Sequence, residues 1–250
     1  MPADNVDLVF LIDASDSMRP CFDGLRENLQ ALVQPLRQTA FNLRLGMLAY
    51  NCERQSGGYV YQLRFIDPGM TGLEIYSEAA QDVASRVFTS DVGRFTAALG
   101  QVEVGGDEDT LMALDTALDL PFGDVRDTRR VVALFTDEKL ETGVRGAKGA
   151  TENLDAIIEK IMARKVMLFG FMPACDGADR LAEADKSEID CLDLKKGFAN
   201  VDFDKLLRGL GKSISVSQTP LKGAGETWKR ALFGQDGFGR TAAGPFGADS

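Results

Sequence analysis

The stretch Val6-Asp7-Leu8-Val9-Phe10-Leu11-Ile12-Asp13-Ala14-Ser15-Asp16-Ser17 decides how this chain is read. An apolar run that ends at an acidic residue suits a strand buried on both faces of a parallel sheet. Working outward, Leu25, Leu29, Leu32, Val33 and Leu36 recur at helical spacing from about Asp23 to Gln38. Leu43 to Tyr50 then reads as a second strand. Tyr59 to Ile66 alternates as a third, in a position to run antiparallel to the second. Ser77 to Leu99 reads as mostly helical.

Beyond Gly105-Gly106-Asp107-Glu108-Asp109-Thr110, a turn, Leu111, Leu114, Ala117 and Leu118 mark another helix. Arg130 to Thr136 reads as a buried strand, ending at Asp137. A helix over Glu152 to Arg164, a strand over Val166 to Phe171 and a short helix near Ala178 to Ala184 follow. A weaker strand near Ile189 to Leu192 and a helix from about Phe203 to Leu210 complete the pattern. Strands that alternate with helices predict an α/β fold: a doubly wound, mainly parallel central sheet with helices on both faces, Rossmann-like in architecture. The expected organisation is one domain over residues 1–216. A Gly-rich tail over 217–250 follows, with an apolar island that could form a short helix at 226–233.

Composition narrows the chemistry. The 250 residues are 44% hydrophobic and 26% charged, the balance of a globular domain. Twenty-eight basic against 38 acidic residues give a net charge of −10, which favours cations and basic surfaces over nucleic acid or anionic membranes as partners. There is no histidine, so nucleophilic arrangements built on His are excluded, and so is His-ligated zinc. Cys21, Cys52, Cys175 and Cys191 form no CxxC pair and fit inert thiols in a reducing compartment. The opening MPADNVDLVF has neither the basic nor the apolar region of a secretion signal. The expectation is a cytoplasmic protein.

In open α/β sheets, ligands bind beyond the carboxyl ends of the strands. Three polar clusters fall at such places: Asp13 to Ser17, the loop from Gly105 to Thr110, and Thr136-Asp137-Glu138. Asp13, Ser15 and Ser17 alternate along an extended turn and can converge on one point. Two hydroxyls and two carboxylates, one of them from a neighbouring strand end, make a hard oxygen set suited to Mg²⁺ rather than Zn²⁺ or Cu²⁺. Asp and Ser are also ordinary helix caps and turn formers, so the DxSxS spacing alone is weakly specific.

VDLVFLIDASDSM resembles the opening of a von Willebrand factor A (VWA) domain, whose first strand ends in the DxSxS part of a metal-ion-dependent adhesion site. ALFTDEK is similar to that family's strand ending in Thr-Asp-Gly, with Asp137 at the aspartate. The resemblance covers about residues 5–215. It implies that Ser15 and Ser17 ligate a divalent cation directly and that Asp13 and Asp137 act largely through bound water. It also implies an open coordination position for a partner's Asp or Glu. Two departures stand out. The family's usual Gly-Gly-Thr is Gly105-Gly106-Asp107 here, with Thr110 further on, so Asp107 is the first choice for the third-motif ligand and Thr110 the second. Glu138 replaces the usual glycine. An extra carboxylate would bring Mn²⁺ or Ca²⁺ within reach alongside Mg²⁺.

The resulting expectation is a non-enzymatic, metal-dependent protein–protein interaction module, similar to standalone bacterial intracellular VWA proteins of the tellurium-resistance type that serve as scaffolds or assembly factors. Its partner would be a protein that supplies an Asp or Glu to the metal, with no nucleic acid and no membrane insertion. The alternative is a metal-dependent hydrolase or phosphatase using the same strand-end carboxylates. Haloacid-dehalogenase-like phosphatases need a second Asp where Ser15 stands, and the chain has no phosphate-binding GxxxxGK[ST] loop. A third reading, a VWA-like domain with an empty site, conflicts with the intact Asp13, Ser15, Ser17 and Asp137.

Overall fold

Apolar side chains at alternate positions of the first strand face opposite ways, and each set finds its own helical layer. A computed structural model describes residues 5–38, 42–56, 58–77, 82–140, 150–193 and 197–216. In it β1 (Asn5–Asp13) is followed by α1 (Arg19–Gln38), β2 (Asn42–Gln55), β3 (Gly58–Arg64), α2 (Val83–Val87), β4 (Phe88–Thr89), α3 (Val92–Gly100) and α4 (Thr110–Leu118). Then come β5 (Thr128–Phe135), α5 (Ala150–Arg164), β6 (Val166–Met172), α6 (Asp176–Leu181), β7 (Ser187–Cys191) and α7 (Phe203–Val216). Val6, Leu8, Phe10 and Ile12 pack with α1, α3 and α7 on one face. Val9 and Leu11 pack with α4, α5 and α6 on the other. This is the doubly wound α/β architecture.

The strand order is β3-β2-β1-β5-β6-β7, with β4 pairing a separate stretch of β2. β1 pairs in parallel with both β2 and β5, and β5–β6 and β6–β7 are also parallel. The chain therefore winds outward from β1 to β2 and returns to wind the opposite way from β5. The switch point lies between β1 and β5, and their carboxyl ends open side by side there. β3 runs antiparallel to β2, with Tyr50 opposite Leu63.

The stretch from Ser77 to Leu99 is helical over most of its described residues, divided between α2 and α3 by the two-residue strand β4. Phe88 and Thr89 are drawn into the sheet opposite Gly46 and Leu45. Gly46 makes this possible, since a Cβ there would stand 2.9 Å from the Phe88 ring. Elsewhere the expected elements are present with shifted ends; α1, for example, begins at Arg19 rather than near Asp23. Pro20 sits in its first turn, where a backbone N–H has no intrahelical acceptor to lose. The tail over 217–250 and the helix expected at 226–233 lie outside the described residues. Among the described residues no helix is long and apolar enough to cross a membrane.

Candidate metal centre

Four backbone segments meet at the switch point. The first leaves β1: Asp13 is fully buried, Ser15 is 6% exposed, and Ser17 stands in solvent. The Ser15 N–H donates to Asp13 Oδ1 at 2.7 Å, which folds the turn back on the strand end. That bond brings the hydroxyls together, with Ser15 Oγ and Ser17 Oγ 3.2 Å apart. The second segment leaves β5. Ser17 Oγ donates to Asp137 Oδ1 at 3.0 Å, and Thr136 Oγ1 donates to Asp13 Oδ2 at 3.0 Å. Asp13, Ser15, Ser17 and Asp137 are thus one continuous hydrogen-bonded set.

The third segment is the loop before α4. Gly105 donates its N–H to the Ala14 carbonyl at 2.8 Å, and Asp107 and Cys52 exchange backbone hydrogen bonds at 2.7 and 2.8 Å. Gly106 has φ +80°, and a Cβ there would lie 2.6 Å from the Cys52 carbonyl oxygen, so only glycine allows this approach. Asn51 Nδ2 also donates to the Gly105 carbonyl. Asp109 caps α4, accepting from the Met112 N–H at 3.1 Å, and accepts from the Tyr61 hydroxyl at 2.9 Å. The fourth segment is the 3₁₀ turn Gly197–Asn200. A Cβ on Gly197 would stand 3.6 Å from Asp137 Oδ2 and 3.7 Å from the Ser17 carbonyl oxygen. Phenyl rings in contact fix this turn to the strand. Phe198 lies 6.1 Å from Phe135, which lies 4.8 Å from Phe171.

The sequence-selected residues do not all play alike. Asp13, Ser15, Ser17 and Asp137 come together. Thr110 is buried, and its hydroxyl is 2.8 Å from that of Tyr50 beneath the site. Asp107 is exposed at the rim, with its backbone committed to Cys52. Two residues that the sequence places in the polar clusters without a role of their own are Thr136, whose hydroxyl holds Asp13, and Glu108, which sits half-buried between Asp107 and the cap of α4. The sequence reading missed Gly197. Thr136 was legible as the residue before a strand-end aspartate; nothing local singled out Glu108 or Gly197.

The shifted acidic groups of the site all move upward. Burial outweighs the hydrogen bonds from Ser15 and Thr136 and pushes the Asp13 carboxyl up to about 6. Burial also raises Asp137, against the bond from Ser17, and neighbouring Glu138 raises it further. Glu108 is pushed up to about 7, first by burial and then by the charges of Asp13, Glu138, Asp107 and Asp137. The Cys21 thiol and Tyr50 hydroxyl, both buried beneath, are raised by burial and then by Asp13. Among the described residues, no ion pair reaches Asp13, Glu108 or Asp137. Also among them, no three Asp, Glu, Cys or His side chains close into a metal-holding group of their own. An ion here therefore depends on the hydroxyls. Two hydroxyls and two carboxylate oxygens already linked by hydrogen bonds are a donor set that fits a hard divalent cation.

No protein-family model matches the chain, and no curated protein matches it. Among solved structures it is similar to one described as von Willebrand factor type A from Catenulispora acidiphila, with a TM-score of 0.50 and 16% identity. The fold is VWA-like. The match covers 84% of this chain but only 43% of the other, so this chain spans less than half the length of that structure. At that identity the likeness is one of fold, and the VWA-like sheet is what places β1 and β5 side by side at the site.

Proposed function

We propose that this VWA-like domain is a metal-dependent protein-interaction module that takes a carboxylate of its partner onto a divalent cation, Mg²⁺ first, at the carboxyl ends of β1 and β5. The single observation that carries the reading is the bonded set Asp13–Ser15–Ser17–Asp137, built from two strand ends, with no cationic side chain paired to it among the described residues. Bound there, the cation would supply a coordination position for a partner's Asp or Glu. Ser15 and Ser17 present neutral oxygens, which leave the positive charge of an ion little diminished. Asp13 is held by the Ser15 N–H and the Thr136 hydroxyl, and Asp137 by the Ser17 hydroxyl; these bonds orient the site before a partner arrives. Such preorganisation reduces the ordering cost of binding.

A cytoplasmic scaffold or assembly factor, similar to the tellurium-resistance type, is the setting we assign. We assign it a non-catalytic role; Ser15, standing where haloacid-dehalogenase-like phosphatases need a second Asp, supports that reading. The test is capture of host proteins on the immobilised full chain with Mg²⁺, with EDTA, and with the Ser15→Ala/Ser17→Ala variant in Mg²⁺. The proposal expects a partner retained only in the first condition, and loss of that partner when its ligating Asp or Glu is changed to Ala. Equal capture in all three overturns it. So does Mg²⁺-dependent phosphatase turnover that Asp13→Asn abolishes, which would establish the hydrolase alternative.

A further inference from the structure

We propose that a cavity at the amino ends of β1 and β2 receives the apolar island Trp228–Phe233 of this chain's own C-terminal tail. The cavity lies at the end of the sheet away from the candidate metal centre, and Asn5 and Asn42, paired at the starts of the two strands, both line it. Its volume is about 700 Å³, in the range of sites that enclose an apolar ligand. The apolar wall is Val33 of α1, Leu43 and Leu45 of β2 and Val92 of α3. Val33 and Leu45 are buried, whereas Leu43 and Val92 are only partly covered and leave apolar surface to fill. Asp7 and Arg44, also in the lining, pair at 2.6 Å and neutralise one another. Asp124, Asp127 and Arg37 complete the lining as exposed charges.

The end of α7 delivers the tail to this cavity. Arg129, buried at the start of β5, donates from Nη1 to the Ile214 and Ser215 carbonyls and so pins the last turn of α7 there. Thr128, its neighbour, lines the cavity. One turn earlier, a Cβ on Gly211 would stand 2.8 Å from the Leu32 carbonyl oxygen, one residue from Val33 of the apolar wall. Eleven residues lie between Val216 and Trp228, a link of up to about 40 Å. The island fits the lining in kind. Trp228, Ala231 and Leu232 have the i, i+3, i+4 spacing that shares one helix face. Lys229 and Arg230 complement Asp124 and Asp127, and Glu226 complements Arg37. A tethered segment acts at an effective concentration of order millimolar, so a modest contact suffices to fill the cavity. The carboxyl ends of β1 and β5 stay open to a partner, and the inference does not depend on the metal reading.

Trp228 is the only tryptophan of the chain, so its fluorescence reports on the island alone. The experiment compares emission and acrylamide quenching in the full-length parent, Leu232→Asp/Phe233→Asp in the tail, Leu43→Asp in the cavity wall, and Met162→Asp, exposed on α5, as a control. Circular dichroism checks the fold of each. Parent and control should be blue-shifted and protected from quenching. The tail and wall variants should shift to the emission and quenching of the urea-unfolded chain. Hydrogen exchange at residues 42–45 and 123–128 should be roughly tenfold faster in the tail variant than in the parent. That comparison leaves the cavity residues unchanged and decides the matter if Leu43→Asp fails to fold. A parent whose tryptophan is as exposed as in urea overturns the inference. Protection that survives in folded Leu43→Asp, or exchange that is equal in parent and tail variant, places the island elsewhere and overturns it too. Protection that disappears on dilution, together with a dimer's mass, assigns the tail to a second copy and overturns docking within one chain.

Discussion

At the residue scale, the site is an exercise in holding a buried negative charge. Asp13 has lost all solvent contact, and its hydrogen bonds do not fully offset that loss. Thr136 is therefore more than a β-strand terminus. Its hydroxyl donates to Asp13 Oδ2 and accepts the Glu138 N–H at 3.2 Å, linking the ends of β1 and β5. Thr136→Val keeps the volume and removes both bonds, leaving a buried carboxylate oxygen without its donor. The expected loss, read from urea unfolding in EDTA at neutral pH, is about 2 kcal/mol, within the usual range for an orphaned buried acceptor. Thr136→Ser should recover most of it. A loss below about 0.5 kcal/mol would mean that Asp13 relaxes toward water and that the bond between strand ends is unimportant. Asp13, Ser15, Ser17 and Asp137 were legible in sequence because each lies one or a few residues beyond an apolar strand. Glu108 was not. How deeply each residue of an irregular loop is buried depends on the Cys52–Asp107 bridge, a contact between distant parts of the chain.

At the element scale, what was legible were the elements with a strong period. β1 is apolar over residues 8–12 and β5 over residues 131–135, and α1 buries Leu25, Leu29, Leu32, Val33 and Leu36 as its spacing required. Within the mostly helical region from Ser77 to Leu99, the break at β4 was not legible because that strand is stabilised by pairing with β2 and by space beside Gly46, neither of which is local. A second non-local feature is the turn Gly72–Tyr76, tied to α2 by one arginine. Arg86 donates to Asp67 Oδ2 at 2.6 Å and pairs with Glu74, while Glu74 also accepts the Thr71 N–H at 2.7 Å. The Arg86 hydrogen bond holds Asp67 below the ordinary carboxylate range. The Thr71 N–H, followed by Arg86, does the same for Glu74. Because both folded values are depressed, their stabilisation is fully present above the ordinary values near 4 and is lost as pH falls through the folded ones. Arg86→Met should thus lower the melting temperature at pH 7, and the gap to the parent should close below pH 4. A gap that persists unchanged into acid would assign the effect of Arg86 to packing of its stem instead.

At the scale of the whole molecule, topology does the work of site assembly. Winding outward from β1 in one direction and back from β5 in the other leaves two parallel strand ends adjacent, with helices on opposite faces. The net charge of −10 adds a diffuse attraction for cations and for basic partner surfaces, which salt screens. The central claim is that this switch point holds a divalent cation on Ser15 and Ser17. Calorimetric titration of Mg²⁺ into the full chain, with Ser15→Ala/Ser17→Ala alongside, tests it most directly. The prediction is a single ion per chain for the parent, none for the variant, and equal melting temperatures for the two proteins in EDTA. At a hundredfold excess over its dissociation constant, the ion should add about 2.7 kcal/mol of stability to the parent alone. A parent that takes up no Mg²⁺, or a variant that binds it as well as the parent, would contradict the account.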